Sequence, residues 1–206
     1  MAEHRPGHRA APTESTVSGA SWEGEERSCE THTRVAFVDL DLTEATLDGV
    51  VFEECAFKRA RFNCSRHVNG AFVNCTFVNC DLFETHFTDC KLVGSTFDRC
   101  TFDLMQVEGG NWSHAGLPGA DLRRATFTRV RLREADLTGV RLEGAEVRDC
   151  DLSGAWLTRA NLTECDLRGS DVSALDPLEV ELRGAVVTFE QALVIAVRLG
   201  LDVRPE

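Results

Sequence analysis

Nine cysteines and six histidines are the side chains of this 206-residue chain best equipped for chemistry. Thiolates and imidazoles hold zinc when they come in closely spaced pairs such as CxxC. No such pair occurs. Cys55, Cys75, Cys80, Cys90, Cys100, Cys150 and Cys165 instead stand at multiples of five, and no histidine falls in step with them. That pattern reads as small buried thiol filler, and no metal is expected. His67 falls on an inward position of the repeat described below and reads as a satisfied buried histidine or a local bulge. His86 and His114 fall on outward positions and read as solvated. No nucleophile–base constellation, phosphate loop or metal spacing appears, so we expect no catalytic residues, no cofactor and no enzyme.

The carboxylates are the remaining candidates. Asp and Glu number 34 against 22 Lys and Arg, a net charge of −12. That balance argues against binding nucleic acid or anionic lipid, and it permits a basic partner, including a protein that normally holds nucleic acid. The N-terminus lacks the apolar core of a signal peptide. No run of about 18 apolar residues marks a membrane span. A cytoplasmic protein with reduced thiols, and no membrane partner, is expected.

The elements that position these residues follow from one number. In "AFVNCTFVNCDLFETHF" (71–87), Phe72, Phe77, Leu82 and Phe87 are five residues apart, which is neither the helical period of about 3.6 nor the strand period of 2. Every fifth residue from Phe37 to Val187 gives 31 positions, of which only His67 and Pro177 depart from a large apolar side chain, and ten of the twelve phenylalanines lie in this register. Calling that position i, residue i−2 is small and residue i−1 is polar, as in Asp41, Asp81, Asp121 and Asp136. Residues i−2 and i therefore point inward and i−1 outward, as on a very short strand. Residues i+1 and i+2 supply turn pairs such as Asp48-Gly49 and Ser153-Gly154. A strand fragment and a corner every five residues make a tightly wound β-solenoid.

The domain reading has three parts. Residues 1–34 form a flexible or partly ordered leader, on which Trp22 docks against the body. Residues 35–187 form the solenoid, and residues 188–206 the C-terminal helix and tail. Thr188 and Gln191 make a capping box, and Gly200 is placed to end the helix. Eight of the eleven residues from Phe189 to Leu199 are apolar, more than one stripe requires. One side can cap the open solenoid end. The other calls for a second copy, predicting a homodimer through Phe189, Leu193, Val194, Val197 and Leu201.

The stretch "ADLTGVRLEGAEVRDCDLSGAWLTRANLTECDLRGSDV" (135–172) resembles the pentapeptide-repeat family, whose motif is A(D/N)LXX. The resemblance covers roughly residues 35–187. It implies an all-β solenoid, a right-handed quadrilateral β-helix with four pentapeptides per coil. The four comes from the family alone, since Phe–Phe spacings of 15, 20 and 25 are about equally common. With it, the rod is roughly 37 Å long, and Phe37, Phe57, Phe77 and Phe97 stack.

A repeat rod with a short C-terminal dimerising helix is similar to the gyrase-interacting, MfpA/Qnr-like branch, the quinolone-resistance and albicidin-immunity type. That resemblance implies DNA mimicry. An acidic dimeric rod docks on DNA gyrase at the GyrA/DNA-gate region, or on topoisomerase IV. It inhibits the enzyme, protects it from a fluoroquinolone or natural-product poison, or does both. The outward acids Asp41, Asp81, Asp89, Asp98, Asp121 and Asp136 are the expected partner surface. A generic scaffold with another protein partner is the alternative.

Two segments leave room for an in-phase loop, "SRHVNG" (65–70) and "VEGGNWSHAGLPG" (107–119). The irregular filling of 109–122 reads as local repair of an uneven core or as a kink that shapes the rod. Basic clusters at 58–61 and 128–134 are expected to pair with acids on neighbouring coils.

Overall fold

The computed structural model describes residues 12–204. Its ladders are all parallel, and partners in the strands and isolated bridges are 20 residues apart throughout. Four pentapeptides therefore make one coil, and the coil has four faces. On the first face the strands Ser15–Ser18, Val35–Val38, Ala56–Lys58, Thr76–Val78 and Thr96–Asp98 pair in that order. The third face carries seven stacked strands, from Glu26–Ser28 to Glu146–Arg148. The fourth begins with Thr31–Thr33, Val51–Glu53 and Ala71–Val73. The second face is built from single bridges, beginning Ser21–Asp41–Arg61–Asp81–Thr101.

The period of five works because each corner turns the chain through a quarter of a coil. Residue i+2 sits there with positive φ, as in Asp39 (55°), Asn74 (52°) and Gly94 (68°). Asn, Asp and Gly tolerate that region well, but Glu84, Arg99 and Arg159 also occupy it. At those corners the inter-coil hydrogen bonds must outweigh a local cost of about 1–2 kcal/mol.

Residues i fill the axis. Phe37, Phe57, Phe77 and Phe97 form the expected stack, with successive ring centroids 5.2, 4.9 and 4.5 Å apart and interplanar angles of 10° to 12°. Full burial of such a ring contributes about 1.5–3 kcal/mol. Above Leu122 the axis is lined by leucine and valine, with Phe127 the one aromatic ring among the residues facing a narrow apolar channel.

The coil starts earlier than the boundary expected at residue 35. Ser15–Ser18 pairs with Val35–Val38, and Thr31–Thr33 pairs with Val51–Glu53. Positions i continue downward as His32, Arg27, Trp22 and Val17, so the repeat's apolar signature is lost while its backbone persists. Trp22 is buried. The Arg27 guanidinium lies 4.0 Å from the Trp22 ring centre and pairs with Glu25 at 2.8 Å and Glu30 at 2.9 Å. This polar coil closes the N-terminal end. The part of the leader before residue 12 lies outside the described residues, as do residues 205–206 of the tail.

Neither segment suspected of hiding a loop does so. Arg66–Val68 pairs in register with Thr46–Asp48 below and His86–Thr88 above. Gln106–Glu108 likewise joins Thr126–Thr128, and all described peptide bonds are trans. At 120–124, however, the second face loses its ladder to the coil below. A second interruption follows at Pro177, where the Arg159 N–H reaches Glu179 rather than residue 178 and Leu178 is left 80% exposed.

The chain ends in α1 (Phe189–Arg198). The Gln191 N–H donates to Thr188 Oγ1 at 3.3 Å, and the Thr188 N–H donates to Gln191 Oε1 at 2.7 Å, closing the capping box. Gln191 is also the buried residue of the helix. Its Nε2 donates to the carbonyls of Leu167 (2.6 Å) and Ser170 (2.7 Å), pinning α1 onto the last full coil.

Candidate protein-docking surfaces

The cysteines at i−2 do more than fill space. Cys55 stacks on Cys75, and Cys80 on Cys100, as the four-per-coil arrangement requires. Five of the six buried thiols, all but Cys165, donate to the carbonyl of a residue i on the coil below, as Cys75 to Phe52 at 3.4 Å, Cys80 to Phe57 at 3.5 Å and Cys90 to His67 at 3.3 Å. These carbonyls belong to strand-type sides, which lack the i+3 N–H that closes the tighter turns, as in Ser65 to Phe62. Ser95 and Ser170 do the same for Phe72 and Val147, both at 2.7 Å. Burial pushes the Cys90 and Cys150 thiols up to about 11 and Cys165 to about 12, which keeps all three protonated. Cysteine is chosen because the site is narrow and dry and still needs a donor, a requirement that residue spacing alone does not reveal. Replacing Cys75 by Ala should cost about 0.5–1.5 kcal/mol, the net worth of one hydrogen bond, because the Phe52 carbonyl keeps its ladder bond across the Val51–Glu53 and Ala71–Val73 pair. Cys75→Ser should retain most of the stability, and urea midpoints of the two variants compare them directly.

His67 is fully buried, stacked on Phe87 with ring centroids 4.9 Å apart, and its Nε2 lies 2.9 Å from Ser65 Oγ. Burial pushes its pKa down to about 3, against about 6.5 for a free imidazole. Between those values the unfolded chain binds a proton that the folded chain refuses. This contribution to stability is therefore complete above about pH 6.5, and falls by about 1.4 kcal/mol per unit as pH drops toward 3. His67→Phe should flatten that slope, read as the difference in unfolding free energy between the two proteins across the interval.

The six expected surface acids do not come together. Asp41, Asp81 and Asp121 belong to the second face, Asp89 to the third, and Asp98 and Asp136 to the first. Asp41 is 9% exposed. Burial alone would raise its pKa, but the Thr43 hydroxyl and amide and the Arg61 guanidinium outweigh this and hold it below the usual carboxylate range. Asp81 accepts from the Phe83 N–H (3.1 Å), from Asn63 (2.8 Å) and from Thr101. Asp121 is held low by the Arg123 guanidinium, with both side chains half exposed. These i−1 aspartates brace the turn and are partly neutralised by the next coil. The basic clusters pair as expected, Arg59 with Asp39 (2.7 Å), Arg61 with Asp41 and Arg129 with Glu108.

The free acid lies one corner further on. From residue 21 to 104, the second face presents Glu23, Asp41, Glu44, Asp81, Glu84 and Asp103 against the single cation Arg61, and Glu23, Glu44 and Glu84 are exposed. The first and fourth faces are nearly balanced over the whole rod. Spacing in fives could not show this, because the grouping appears only at a period of 20.

At the other end, Phe189 (76%), Val197 (59%), Leu201 (59%) and Val194 (39%) are exposed on α1 and the segment after it. Leu193 is half-buried, while Ile195 is the α1 residue packed against the core of the rod. Among the described residues no helix is long and apolar enough to cross a membrane, and no three His, Cys, Asp or Glu side chains converge as metal ligands.

The described residues form a closed, four-sided parallel solenoid with its side chains packed to the axis. The model for "Pentapeptide repeats" matches residues 113–144 and 145–176 in eight copies, so this part of the chain is built of pentapeptide repeats. A curated relative, the pentapeptide repeat protein MfpA of Mycobacterium tuberculosis, is 36% identical over 92 residues, 45% of this chain and 50% of that protein. The match thus spans half the relative's length. Among solved structures, full-length QnrB1, described as a plasmid-mediated fluoroquinolone resistance protein, matches with a TM-score of 0.65 at 20% identity, over 91% of this chain and 98% of that one. HetL of the cyanobacterium Nostoc, involved in heterocyst differentiation regulation, matches with a TM-score of 0.63 at 17% identity, over 85% of this chain and 86% of HetL. Both likenesses are of fold.

Proposed function

We propose that this chain is a non-enzymatic, dimeric DNA mimic that binds DNA gyrase or topoisomerase IV at the DNA gate, in the cytoplasm. It inhibits the enzyme or protects it from a quinolone or natural-product poison. The carrying observation is the one-sided acid of the second face, six carboxylates against one guanidinium between residues 21 and 104. A duplex of about 37 Å carries about 22 negative charges, whereas residues 35–187 carry a net −9. A rod this weakly charged resembles DNA only if its acid is concentrated on one side, and the second face meets that condition. The sequence likeness to MfpA and the shared fold with a fluoroquinolone resistance protein support the same reading.

The test is a gyrase supercoiling and cleavage-complex assay with and without a quinolone. The dimer should inhibit supercoiling or reduce drug-stabilised cleavage. Changing Glu23, Glu44 and Glu84 together to Gln should weaken the effect, while Asp39→Asn with Asp98→Asn on the first face should not. No effect of the wild-type protein at micromolar concentration would overturn the topoisomerase reading in favour of a scaffold with another partner.

A further inference from the structure

The interruption of the second face makes an opening at the upper edge of the acidic surface proposed above, and it shares Glu84 and Asp103 with that surface. Thr101 bridges to Asp81 below it, and Asp121 bridges to Arg141 above it, but no bridge joins Thr101 to Asp121. One coil down, the Thr101 N–H donates to Cys80, the Leu82 N–H to Thr101 and the Glu84 N–H to Asp103. The equivalent bonds from the N–H groups of Asp121, Phe102 and Leu104 are missing. The middles of the neighbouring faces hold, with the Phe97 N–H on Gly116 and the Thr126 N–H on Met105, both at 2.9 Å. Pro118 stands at the intervening corner, at the entry to this stretch. The Asn79 N–H one coil down donates to the Asp98 carbonyl at 3.0 Å, but the Arg99 N–H makes no such bond to the Pro118 carbonyl; the Pro118 column continues as Thr138 and Thr158 in later coils.

The result is a slit of about 590 Å³ between two coils, within the range of ligand clefts, roughly 300–1,000 Å³. Cys100 lies along it and is half-buried, whereas Cys80 one coil below is 2% exposed. The lower lip offers two free donors, the N–H groups of Phe102 and Leu104, and one free acceptor, the Cys100 carbonyl. Alternating donors and acceptors at strand spacing match the main chain of an extended peptide. Below the slit lie Asp81, Glu84 and Asp103. Above it, Arg123 is held by Asp121 at 2.8 Å, and Arg124 reaches across to Asp103 at 3.2 Å.

We propose that this slit is a docking slot for an extended, arginine- or lysine-bearing segment of a protein partner, which adds as a strand to the lower lip. Its basic side chains lie over Glu84 and Asp103, with Arg124 giving way at Asp103. No topoisomerase enters the test, so the slot and the gyrase reading fail separately.

The test uses the full-length protein and a short capped peptide of alternating arginine and threonine. A control peptide has the same sequence with N-methylated backbone amides. In the free protein the amides of Phe102, Leu104 and Asp121 should exchange faster than those of Leu82, Glu84 and Thr101. The first peptide should slow Phe102 and Leu104 on the order of tenfold, and the N-methylated peptide should bind less tightly. Equal binding of the two peptides, binding without protection, or no binding of the first at millimolar concentration would overturn the slot. Pro118→Thr should close the slit, protect the three amides in the free protein and lower peptide affinity. A variant so protected that binds the peptide like wild type would also overturn it. If Pro118→Thr leaves those amides fast, the wild-type comparison of the two peptides decides alone.

Discussion

Phe77→Ala should destabilise the rod by about 3–5 kcal/mol, the usual cost of deleting a fully buried ring. Phe77 is fully buried, sandwiched between Phe57 at 4.9 Å and Phe97 at 4.5 Å, with Phe62 and Phe72 both 5.7 Å away. The cavity cannot collapse easily, because the ladders on either side fix the coil spacing. The control is Asp98→Ala on the same face one coil above. Its carboxylate is 60% exposed and meets only its neighbour Arg99, so that change should fall within about 0.5 kcal/mol. Guanidinium unfolding of both variants measures the difference. Comparable losses would mean that the inward and outward assignments are wrong.

The second large effect concerns the end of the molecule. Val197→Asp should split the proposed dimer and remove topoisomerase inhibition together. Val197 is 59% exposed and Phe189 76% exposed, on an α1 surface that no other described residue covers. Leu193→Asp should do the same, but Leu193 is half-buried within the single chain, so the change also costs stability there. Val197→Asp is therefore the cleaner variant. Sedimentation should show a monomer with an unchanged far-ultraviolet spectrum, and the supercoiling assay should show a large loss of inhibition. A monomeric Val197→Asp with full activity would refute the dependence on a dimer.

Much of the fold was legible because one physical demand repeats. Every side of the coil needs a large residue at the axis, and the phenylalanines and leucines from Phe37 to Val172 announce it. The capping box of α1 was equally plain, since Thr188 and Gln191 are three residues apart and reciprocal. The N-terminal coil was hidden because His32 and Arg27 occupy the axis there, and Arg27 is accommodated only by Trp22, Glu25 and Glu30. The slit was hidden for the opposite reason. The register runs through Leu117 and Leu122 unbroken, and what fails is backbone hydrogen bonding across coils, to which side-chain periodicity is blind.

The candidate surface was less legible than the core. Outward acids were correctly read as outward, yet the six singled out fall on three faces. The i−1 aspartates look most regular because they brace turns, as Asp41 does for Thr43 and Asp136 for Thr138. The acids with least structural work, Glu23, Glu44 and Glu84, sit at less regular positions and group only once the coil length is known.

The separation between a five-residue side and a twenty-residue coil gives the molecule two independent dials, phase and length. Removing one complete coil would shorten the rod by about 4.8 Å and leave every face pointing as before. Removing a single pentapeptide would keep an apolar residue at every axial position, yet turn everything beyond it by a quarter turn. The C-terminal helix would then point ninety degrees away from the acidic face. A protein of this build can therefore change its reach without changing its aim, or its aim almost without changing its reach. In a two-fold dimer, either change is felt twice.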